Sequence, residues 1–398
     1  MFTAKFKIIL RIKERKKSMI NKSITVAHAG DFLRYPPVIS LLENMLANGR
    51  KVHLVSSTPA EKIPVEISKN DNFIYHYVTF SVGEGVKDRL SRLLKEKRIF
   101  RKTVATAMED SDILWTTTDI TVKVLGDVVI DYKHVMQLME LRDRYPLFLS
   151  SKHFSFPIDE YARKAYKVVV PNLDRAYIQQ SWWNLEKVPV VLPNKPYSIA
   201  IDGNVELDVN EQKHLEKIKN EKRKVILYSG LITPERNIED FAKAIQERKD
   251  YCIYVMGKNF SDSNYLDKFL NENKNVEYLG YFVAPKHLSF IKYAHIGLTP
   301  YVPTDSSKLN ALYCAPNKVY EYSAFGVPML GTNVLGLLRP FEQYNIGKVA
   351  KNMSKSAILG SLEYIDKHHD EMSKAALDFF AKDNLDEIVR SILDDSVE

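Results

Sequence analysis

Short apolar runs and longer stretches with helical periodicity alternate along the first half of the chain. From Ser23, ITVAHAG has the composition of a strand, PPVISLLENMLANG carries apolar residues at helical spacing, and KVHLVSS is again strand-like. Asn48 and Gly49 favour a helix stop before the second of these strands. The pattern is that of a βαβ unit and predicts a parallel sheet covered on both faces. Further strands are predicted at DILWTTT, DVVID, KVVVP and VPVVLPN.

The alternation stops after Pro193 and then begins again. The segment PNKPYSIAIDGNVELD has no periodicity, and a charged, helix-like run over residues 210–222 follows it. The second half then repeats the succession of strands and helices, which predicts a second parallel-sheet domain. Its predicted strands are KVILYSG, CIYVMG, VEYLG, IGLTPY and VPMLGT, and its predicted helices start at Asn237, Ser263 and Pro285 and near Val319.

These patterns predict an α/β chain of five segments. They are a basic leader at residues 1–21, a first domain at 22–197, a linker at 198–210, a second domain at 211–380 and a C-terminal helix at 381–398. The leader is expected to be an upstream, disordered stretch or a segment that touches a membrane. The C-terminal helix keeps Leu385, Ile388, Val389 and Ile392 on one stripe, so it must pack against another element, and we expect it to cross back to the first domain.

Composition narrows the class of protein. An apolar content of 45% in 398 residues is enough for two domains of ordinary size. No stretch approaches the roughly 18 uninterrupted apolar residues of a membrane-spanning helix, and no cleavage site follows an apolar core at the start, so we expect a cytoplasmic protein. Cys252 and Cys314 lack the spacing of a zinc site or a disulfide framework, which indicates packing roles.

Positive charge is concentrated near the N-terminus. The net charge is +7, yet residues 1–102 alone hold 21 lysines and arginines against 9 aspartates and glutamates. This asymmetry indicates an anionic partner, which is a membrane surface or a nucleic acid. Because neither an aromatic-rich basic ribbon nor a helix-turn-helix signature is present, we expect a membrane surface and no nucleic acid.

The strongest basic pattern covers residues 86–104, which have the periodicity of a helix. Its apolar stripe consists of Val86, Leu90, Leu93, Leu94 and Val104, and eight lysines and arginines lie elsewhere on it. Such a helix is expected to pack on its domain through the stripe. Its basic face is then either solvated or in contact with anionic lipid.

Candidate ligand-binding residues lie where strands of the second domain end, because open parallel sheets bind ligands beyond the carboxyl ends of their strands. Arg236 precedes a predicted helix, where a guanidinium and helix N-terminal amides can share the charge of a pyrophosphate; a solvated arginine is the alternative. In APNKVYEYSAFGVPML, Asn317 can cap a helix and Lys318 lies in its first turn, where a cation is unfavourable unless an anion is bound. Glu321 follows on the same face, where a carboxylate can accept both hydroxyls of a ribose; an ordinary surface Lys/Glu pair is the alternative.

These residues are part of a resemblance that spans residues 224–350. The second half resembles the donor domain of family 4 and related GT-B glycosyltransferases. YSGLITPERN matches their strand, glycine (here Gly230) and basic residue before a helix. Glu321 with Ala324, Gly326 and Pro328 matches their ribose-binding glutamate followed by Ala-x-Gly-x-Pro.

The same resemblance extends more weakly over the whole chain. It implies a GT-B fold, with two facing Rossmann-like domains and the active site in the cleft. VEYLGYF resembles the nucleobase loop of the family, which implies that main-chain groups near Phe282 hold the base. Two positions depart from the pattern: Leu231 stands where many members have an arginine, and Tyr313 stands where many have a first glutamate. Arg236 and Lys318 are the candidates to replace the missing phosphate ligand.

The catalytic group is left with two candidates. VVIDYKHVMQL resembles the strand and following loop in which retaining members place a histidine beside the donor sugar, which corresponds to His134. Asp31, in HAGDF after the first strand, is the alternative, because inverting GT-B enzymes tend to keep their base there and a carboxylate can deprotonate an acceptor hydroxyl. A structural histidine and a helix-capping aspartate are the non-catalytic interpretations.

Together these features predict a glycosyltransferase that moves a sugar from a nucleoside diphosphate sugar, with UDP favoured. The acceptor is expected to be a hydroxyl of a lipid-linked saccharide or envelope polysaccharide precursor, reached at the inner face of the cell membrane. We expect no metal and no cofactor besides this co-substrate, and we favour retention. The alternatives are an inverting, glucuronosyltransferase-like enzyme with Asp31 as base, and a nucleotide-sugar epimerase of GT-B architecture.

Overall fold

The computed structural model describes residues 22–79, 86–146, 155–199, 205–233, 236–260, 264–304 and 308–394, with residues 86–93, 145, 146 and 155 described by their backbone alone. It divides into two compact units, Met1–Pro193 with Asn384–Glu398 and Asn194–Asp383. The predicted leader at residues 1–21 lies outside the described residues.

The described strands of the first unit form a parallel sheet and a small antiparallel pair. They are β1 (Ile24–Ala27), β2 (Val52–Ser56), β3 (Phe73–Tyr77), β4 (Ile113–Thr116), β5 (His134–Gln137), β6 (Tyr145–Pro146), β7 (Ser155–Phe156), β8 (Lys167–Val170) and β9 (Val190–Val191). The sheet has the order β3-β2-β1-β4-β5-β8-β9, and β6 pairs with β7. Because the chain proceeds outward from β1 to β3 and then restarts beside β1 with β4, this is the doubly wound order of a Rossmann-like sheet.

Helices connect these strands. They are α1 (Pro36–Ala47), α2 (Val65–Ser68), α3 (Val86–Met108), α4 (Asp119–Leu125), α5 (Ile158–Lys164) and α6 (Leu173–Trp183), with short 3₁₀ turns at Phe32–Arg34, Ala60–Lys62 and Gly126–Asp131. All residues of β1, β2 and β4 are buried, as expected of strands covered on both faces. The predicted stop after α1 is confirmed, since Asn48 is its C-cap and Gly49 has a φ of 69°.

One predicted strand is wrong. DVVID, at residues 127–131, lies in the 3₁₀ turn Gly126–Asp131, and the strand starts later, at His134. Gly126 has a φ of 56° and ends α4, so the chain turns immediately before the apolar run. Val129 is then buried and Ile130 is exposed, so one side of the turn packs against the core. A short apolar run has no period that distinguishes such a turn from a strand.

The second unit contains a six-stranded parallel sheet within the described residues. Its strands are β10 (Lys224–Ser229), β11 (Tyr251–Met256), β12 (Val276–Gly280), β13 (Ile296–Thr299), β14 (Met329–Thr332) and β15 (Gly347–Ala350). Their order is β12-β11-β10-β13-β14-β15. This unit therefore has the Rossmann-like order as well, with the direction of winding reversed between β10 and β13.

The helices of the second unit are α7 (Val209–Lys219), α8 (Ile238–Ile245), α9 (Tyr265–Glu272), α10 (Leu288–Ile291), α11 (Lys308–Leu312), α12 (Asn317–Ala324), α13 (Leu335–Tyr344), α14 (Lys355–Lys367) and α15 (His369–Lys382). The helices predicted near Asn237, Ser263, Pro285 and Val319 are all present, although the third is a single turn, α10. Asn237 caps α8 by accepting a hydrogen bond from the amide of Asp240. No described helix in either unit is both long and apolar enough to cross a membrane.

The C-terminal helix α16 (Leu385–Leu393) belongs to the first unit, in agreement with the predicted fold class. Of its predicted stripe, Leu385, Val389 and Ile392 are buried and Ile388 is half-buried; Leu393 is buried as well. The Oδ1 atom of Asp386 accepts hydrogen bonds from the side-chain amides of Asn44 and Asn48, both at 2.7 Å. The last helix thus closes the layer that contains α1.

Candidate functional site

The ends of β10 and β13 define the point where the second sheet reverses its winding, and chemically active residues meet there. Gly230 directly follows β10, and Tyr301 lies two residues beyond β13. Lys318, the second residue of α12, donates from Nζ to the hydroxyl of Tyr301 at 3.3 Å. A Cβ atom on Gly230 would lie 2.5 Å from the same Nζ. The structure therefore brings Gly230 and Lys318 together, and the φ of 153° at Gly230 favours a glycine beside the ammonium.

Glycines also form the floor beside Lys318. The amide of Gly230 donates to the carbonyl of Met256, and the amide of Gly257 donates to the carbonyl of Gly280, both at 2.9 Å. A Cβ atom on Gly257 would lie 1.7 Å from the carbonyl oxygen of Gly230, so no other residue fits this backbone without a shift. The ends of β10, β11 and β12 are thus bare main chain, which permits close approach of a ligand.

Two cations face the ring of Tyr301. The guanidinium carbon of Arg236 lies 4.3 Å from the ring centroid, and Nζ of Lys318 lies 5.6 Å from it. Burial and the charge of Arg236 lower the pKa of Lys318 to about 8. Among the described residues, neither cation forms an ion pair within 4.0 Å of a carboxylate. The site is therefore suited to an anion with more than one negative charge.

Glu321 lies one turn after Lys318 and has 7% of its surface exposed. Its Oε1 atom is 3.5 Å from Nε2 of His287. Burial raises the pKa of this carboxyl, but the charge and hydrogen bond of His287 and the charge of Lys318 outweigh burial and hold it below the usual value. An ionised, buried carboxylate accepts hydrogen bonds only, which suits a pair of ligand hydroxyls.

Asn317 does not have its predicted capping role. It is the first helical residue of α12, and the N-cap is Pro316, which has no side-chain acceptor. The prediction used the preference of asparagine for the N-cap, whereas the helix begins one residue earlier than that position requires, at Asn317 itself. Asn317 therefore adds a side-chain amide to the first turn of α12, next to Lys318.

The loop after β12 is anchored by Phe282. Its ring is buried and lies 4.3 Å from that of Phe290, centroid to centroid. Its neighbour Tyr281 is 58% exposed, and Val283 is exposed as well. The buried ring fixes the main chain of this loop at the carboxyl end of the sheet. The exposed Tyr281 was missed by the sequence interpretation.

At the carboxyl end of the first sheet, Asp31 follows β1 and caps the 3₁₀ turn Phe32–Arg34. Its Oδ1 atom accepts from the amide of Leu33 at 3.2 Å and from the hydroxyl of Thr58 at 2.8 Å. The side chain is 36% exposed. The capping interpretation is thus what the structure describes, with the carboxylate at the surface of the sheet end.

His28 immediately follows β1 and was missed by the sequence interpretation. It is buried, and its Nδ1 atom lies 2.8 Å from the hydroxyl of Thr117, which follows β4. Burial lowers the pKa of His28 to about 4 even though the charge of Asp31 raises it, so the imidazole is neutral at pH 7. The HAGD sequence at the end of a predicted strand was the available signal.

His134 is not in a loop after a strand, as the resemblance implied. It is the first residue of β5 and therefore lies at the amino end of that strand. Its Nε2 atom lies 2.8 Å from the hydroxyl of Thr116, and burial lowers its pKa to about 3. His134 takes this position because the strand that was predicted at DVVID begins only at His134. The structure does not bring His134 to the carboxyl end of the sheet, where His28 and Asp31 lie.

The basic helix α3 packs through Val104 as predicted but not through Leu94, and the side chains of Val86, Leu90 and Leu93 lie outside the described residues. Phe100 and Val104 are buried against β1 and β2, whereas Leu94, which was assigned to the stripe, is 62% exposed. Ile99 is 44% exposed as well. The outward face therefore carries apolar residues among cations. The exposed cations are Lys95, Arg98 and Lys102.

The cysteines and acidic residues supply no metal centre among the described residues, where no group of three or more metal-ligating side chains occurs. Cys252 and Cys314 are buried and form no disulfide. Burial raises the pKa of Cys252 to about 12, which keeps its thiol protonated. Both are core residues of the second unit.

Comparison with solved structures places the fold among the GT-B proteins, whose two parts are Rossmann-like parallel-sheet domains. HepE from Anabaena, solved in complex with UDP and glucose, matches with a TM-score of 0.62 at 12% identity over 93% of this chain and 98% of its own. A glycosyltransferase from Rickettsia africae matches with a TM-score of 0.63 at 11% identity over 94% of this chain and 100% of its own.

A putative UDP-N-acetylglucosamine 2-epimerase from Listeria monocytogenes also has this fold. It matches with a TM-score of 0.58 at 14% identity over 93% of this chain and 95% of its own. No protein-family model and no curated protein sequence matches the chain. At these identities the likeness establishes the fold, and function must be argued from the site.

Proposed function

We propose that this chain is a glycosyltransferase, with a donor half of the family 4 type, that transfers a sugar from a nucleoside diphosphate sugar, with UDP as the favoured nucleotide. The observation that carries the proposal is the pair of cations, Lys318 and Arg236, around Tyr301 at the switch point of the second sheet. A buried carboxylate, Glu321, lies one helical turn away. A diphosphate and the ribose next to it have the complementary chemistry.

In this proposal the second unit holds the donor. Lys318 and Arg236 bind the diphosphate and stabilise the negative charge that it gains as the sugar leaves. The glycine at position 230 lets the phosphates approach the main chain, and Glu321 accepts the ribose hydroxyls. The main chain of the loop anchored by Phe282 binds the base. Asn317 contributes from the first turn of α12, and these groups neutralise the leaving diphosphate without requiring a metal.

The first unit supplies the group that activates the acceptor. Geometry favours the loop after β1 over His134, because His28 and Asp31 lie at the carboxyl end of the sheet while His134 lies at the amino end, as the first residue of β5. A neutral His28 can accept the proton of an attacking hydroxyl, and the carboxylate of Asp31 stabilises the resulting imidazolium. Direct deprotonation by Asp31 is the other version. Either version gives a single displacement and inversion, whereas a role for His134 corresponds to retention.

The acceptor in this proposal is a hydroxyl of a lipid-linked saccharide or of an envelope polysaccharide precursor. Support comes from the outward face of α3, where exposed Leu94 and Ile99 alternate with exposed cations. Such a face is typical of helices that lie on anionic lipid. The protein would then work on the inner surface of the cell membrane. The same face gives no reason to expect nucleic-acid binding, because it lacks the aromatic stacking groups that such binding uses.

A nucleotide-sugar epimerase is the second candidate, and it is favoured by the structural match to the Listeria protein. It would use the same donor residues but no acceptor. Product analysis separates the two functions. An epimerase converts a free UDP-sugar into its epimer, whereas a transferase releases UDP only when an acceptor is present.

The test is a screen of UDP-sugars against short lipid-linked saccharides, with release of UDP measured and products resolved by NMR. The proposal expects acceptor-dependent release of UDP and a new glycosidic linkage. Conversion of a UDP-sugar to its epimer without any acceptor would establish the second candidate instead. Failure of the native protein to bind any nucleoside diphosphate would refute both functions.

A further inference from the structure

We propose that the first unit contains a separate pocket that binds a phosphate group. The cavity has a volume of about 280 Å³ and lies between α3, the end of α4 and the strand β7. Its polar and aromatic lining consists of Lys97, Arg101, Lys123, Asp127, Phe156 and Tyr161. This site is independent of the donor residues of the second unit and of the proposed transfer reaction.

The pocket does not coincide with the carboxyl end of the first sheet, where His28 and Asp31 lie. Helix α4 starts just after β4 and runs back over the sheet for seven residues. At 1.5 Å per residue it ends about 10 Å from the carboxyl ends of the strands. The pocket forms at this far end, around Gly126 and Asp127. It is therefore a surface site on the helical layer.

Positive charge dominates the lining. Lys97 and Arg101 come from α3 and Lys123 comes from α4, whereas Asp127 is the one acidic group among these lining residues. Asp127 accepts a hydrogen bond from the hydroxyl of Tyr161 at 2.8 Å. Burial lowers the pKa of Lys123, and the nearby charge of Lys97 lowers it further while that of Asp119 raises it. The ammonium groups of Lys97 and Lys123 therefore repel each other. An anion between them would relieve this repulsion.

The protein backbone holds Arg101 in place. Its Nε atom donates to the carbonyl of Val124 at 2.8 Å, which fixes the plane of the guanidinium. A Cβ atom on Gly126 would lie 3.0 Å from the Nη2 atom of Arg101, so the glycine gives the guanidinium space. A guanidinium fixed in this way is a favourable donor to phosphate oxygens.

The other wall is aromatic. The rings of Phe156 and Tyr161 are stacked with centroids 5.1 Å apart, and both line the cavity. About 10 to 15 Å³ of such volume holds one water molecule, so a cavity of about 280 Å³ is larger than a phosphate group needs. The ligand class is therefore a phosphate ester whose organic part lies on the aromatic wall. A lipid headgroup and a free phosphorylated compound share this chemistry.

The first experiment measures the binding of inorganic phosphate by calorimetry at low salt. It uses the full chain with Lys318→Met, so that the donor site of the second unit contributes little. Lys97→Gln and Lys123→Gln should each weaken binding about tenfold or more, as expected for a charge-assisted contact. Arg98→Gln and Lys102→Gln remove the same charge from exposed positions of α3 and should change affinity less than about twofold. Lys123→Arg should restore binding, and matched melting temperatures would show that all variants fold.

The second experiment identifies the source of the phosphate. Vesicles of phosphatidylcholine with phosphatidic acid are compared with vesicles that carry phosphatidylglycerol at equal surface charge. Preference for phosphatidic acid that is lost in Lys123→Gln identifies a lipid headgroup, whereas phosphate binding without such a preference identifies a soluble phosphate ester. Equal losses of affinity for inorganic phosphate in the pocket and control variants would show diffuse surface charge and overturn the proposal. Absence of binding to phosphate and of any vesicle preference would overturn it too.

Discussion

The carboxyl ends of the two sheets have the same topology but opposite chemistry. In the second unit, Lys318 and Arg236 lie around Tyr301 without an ion pair to any described carboxylate. In the first unit, the corresponding loops hold the neutral His28 and the carboxylate of Asp31. One sheet end is therefore prepared for an anion, and the other is prepared for a neutral, proton-bearing group.

This difference indicates how one fold can be used twice. A Rossmann-like sheet provides a place for ligands at its carboxyl end but does not determine which ligand binds there. In the second unit, helix α12 places a cation and a carboxylate one turn apart on the glycine floor. In the first unit, the hydroxyls of Thr117 and Thr58 hold His28 and Asp31 in position. In the proposed function, donor binding and acceptor activation are therefore assigned to different units.

The largest effect is expected from the loop after β1. His28→Asn, which can keep a hydrogen bond to Thr117, and Asp31→Asn, which keeps a capping side chain, should lower turnover. Loss of the base should lower it by about 10²- to 10⁴-fold, and loss of the supporting group by less. Nucleotide affinity should stay near normal in both variants. Steady-state kinetics and calorimetry on the same preparations would check this.

His134→Gln is the matched comparison, since a glutamine can keep the contact with Thr116. We expect it to retain most of its turnover and the product to have inverted anomeric configuration. An inactive His134→Gln enzyme with an unchanged melting temperature, together with a retained configuration, would return the catalytic role to His134.

The next largest effect is expected at Glu321. Glu321→Ala should weaken the binding of a nucleotide sugar by about 2 to 4 kcal/mol, because a buried carboxylate that accepts two hydrogen bonds is removed. Since the ribose is present in both, uridine and UDP should lose similar amounts. Calorimetry measures both ligands, and Glu363→Ala, at an exposed position of α14, is the control. Unchanged affinity would remove Glu321 from the site.

These residues also show how far sequence reasoning reached. The parallel sheets were predictable because their strands are continuous apolar runs, and the spacing of Lys318 and Glu321 within one helix is local information. His28 was missed because its partner Thr117 lies 89 positions away. The phosphate pocket was missed for the same reason, since Lys97 and Lys123 meet only when α3 packs beside α4. The strand predicted at DVVID is wrong because a short apolar run has no period that distinguishes a strand from a turn.

A pH effect sharpens the comparison further, because the two sheet ends differ in which group titrates. In the unliganded protein, Lys318 loses its proton as the pH rises through its pKa of about 8, and a bound diphosphate would raise that pKa. UDP affinity should therefore be nearly constant between about pH 7 and pH 8, where the phosphates of UDP are largely ionised, and fall by up to about tenfold per pH unit above it. Binding should take up protons in that range, as calorimetry in buffers of different ionisation enthalpy would detect. If the UDP affinity of the native protein depends on pH as little as that of Lys318→Met, the assignment of this titration to Lys318 is contradicted.

The smallest effect is expected on the outward face of α3. Lys95→Gln, Arg98→Gln and Lys102→Gln should each weaken binding to anionic vesicles by about 1 kcal/mol, and added salt should weaken the remainder. Lys268→Gln, at an exposed position of α9, is the control. Co-sedimentation with vesicles measures the effect. Native protein that ignores anionic vesicles at low salt would exclude this surface as a membrane contact.

The central claim, that the cations at the end of the second sheet bind a diphosphate, is tested most directly by comparing UDP with uridine. Calorimetry gives the affinity difference between these two ligands for the native protein, for Lys318→Met and for Arg236→Gln, with Lys268→Met as control. Each site variant should reduce the advantage of UDP by about 10- to 100-fold and leave uridine almost unaffected, because only UDP offers a charge-assisted phosphate contact. Equal losses for UDP and uridine, or an unchanged advantage in both variants, would contradict the account.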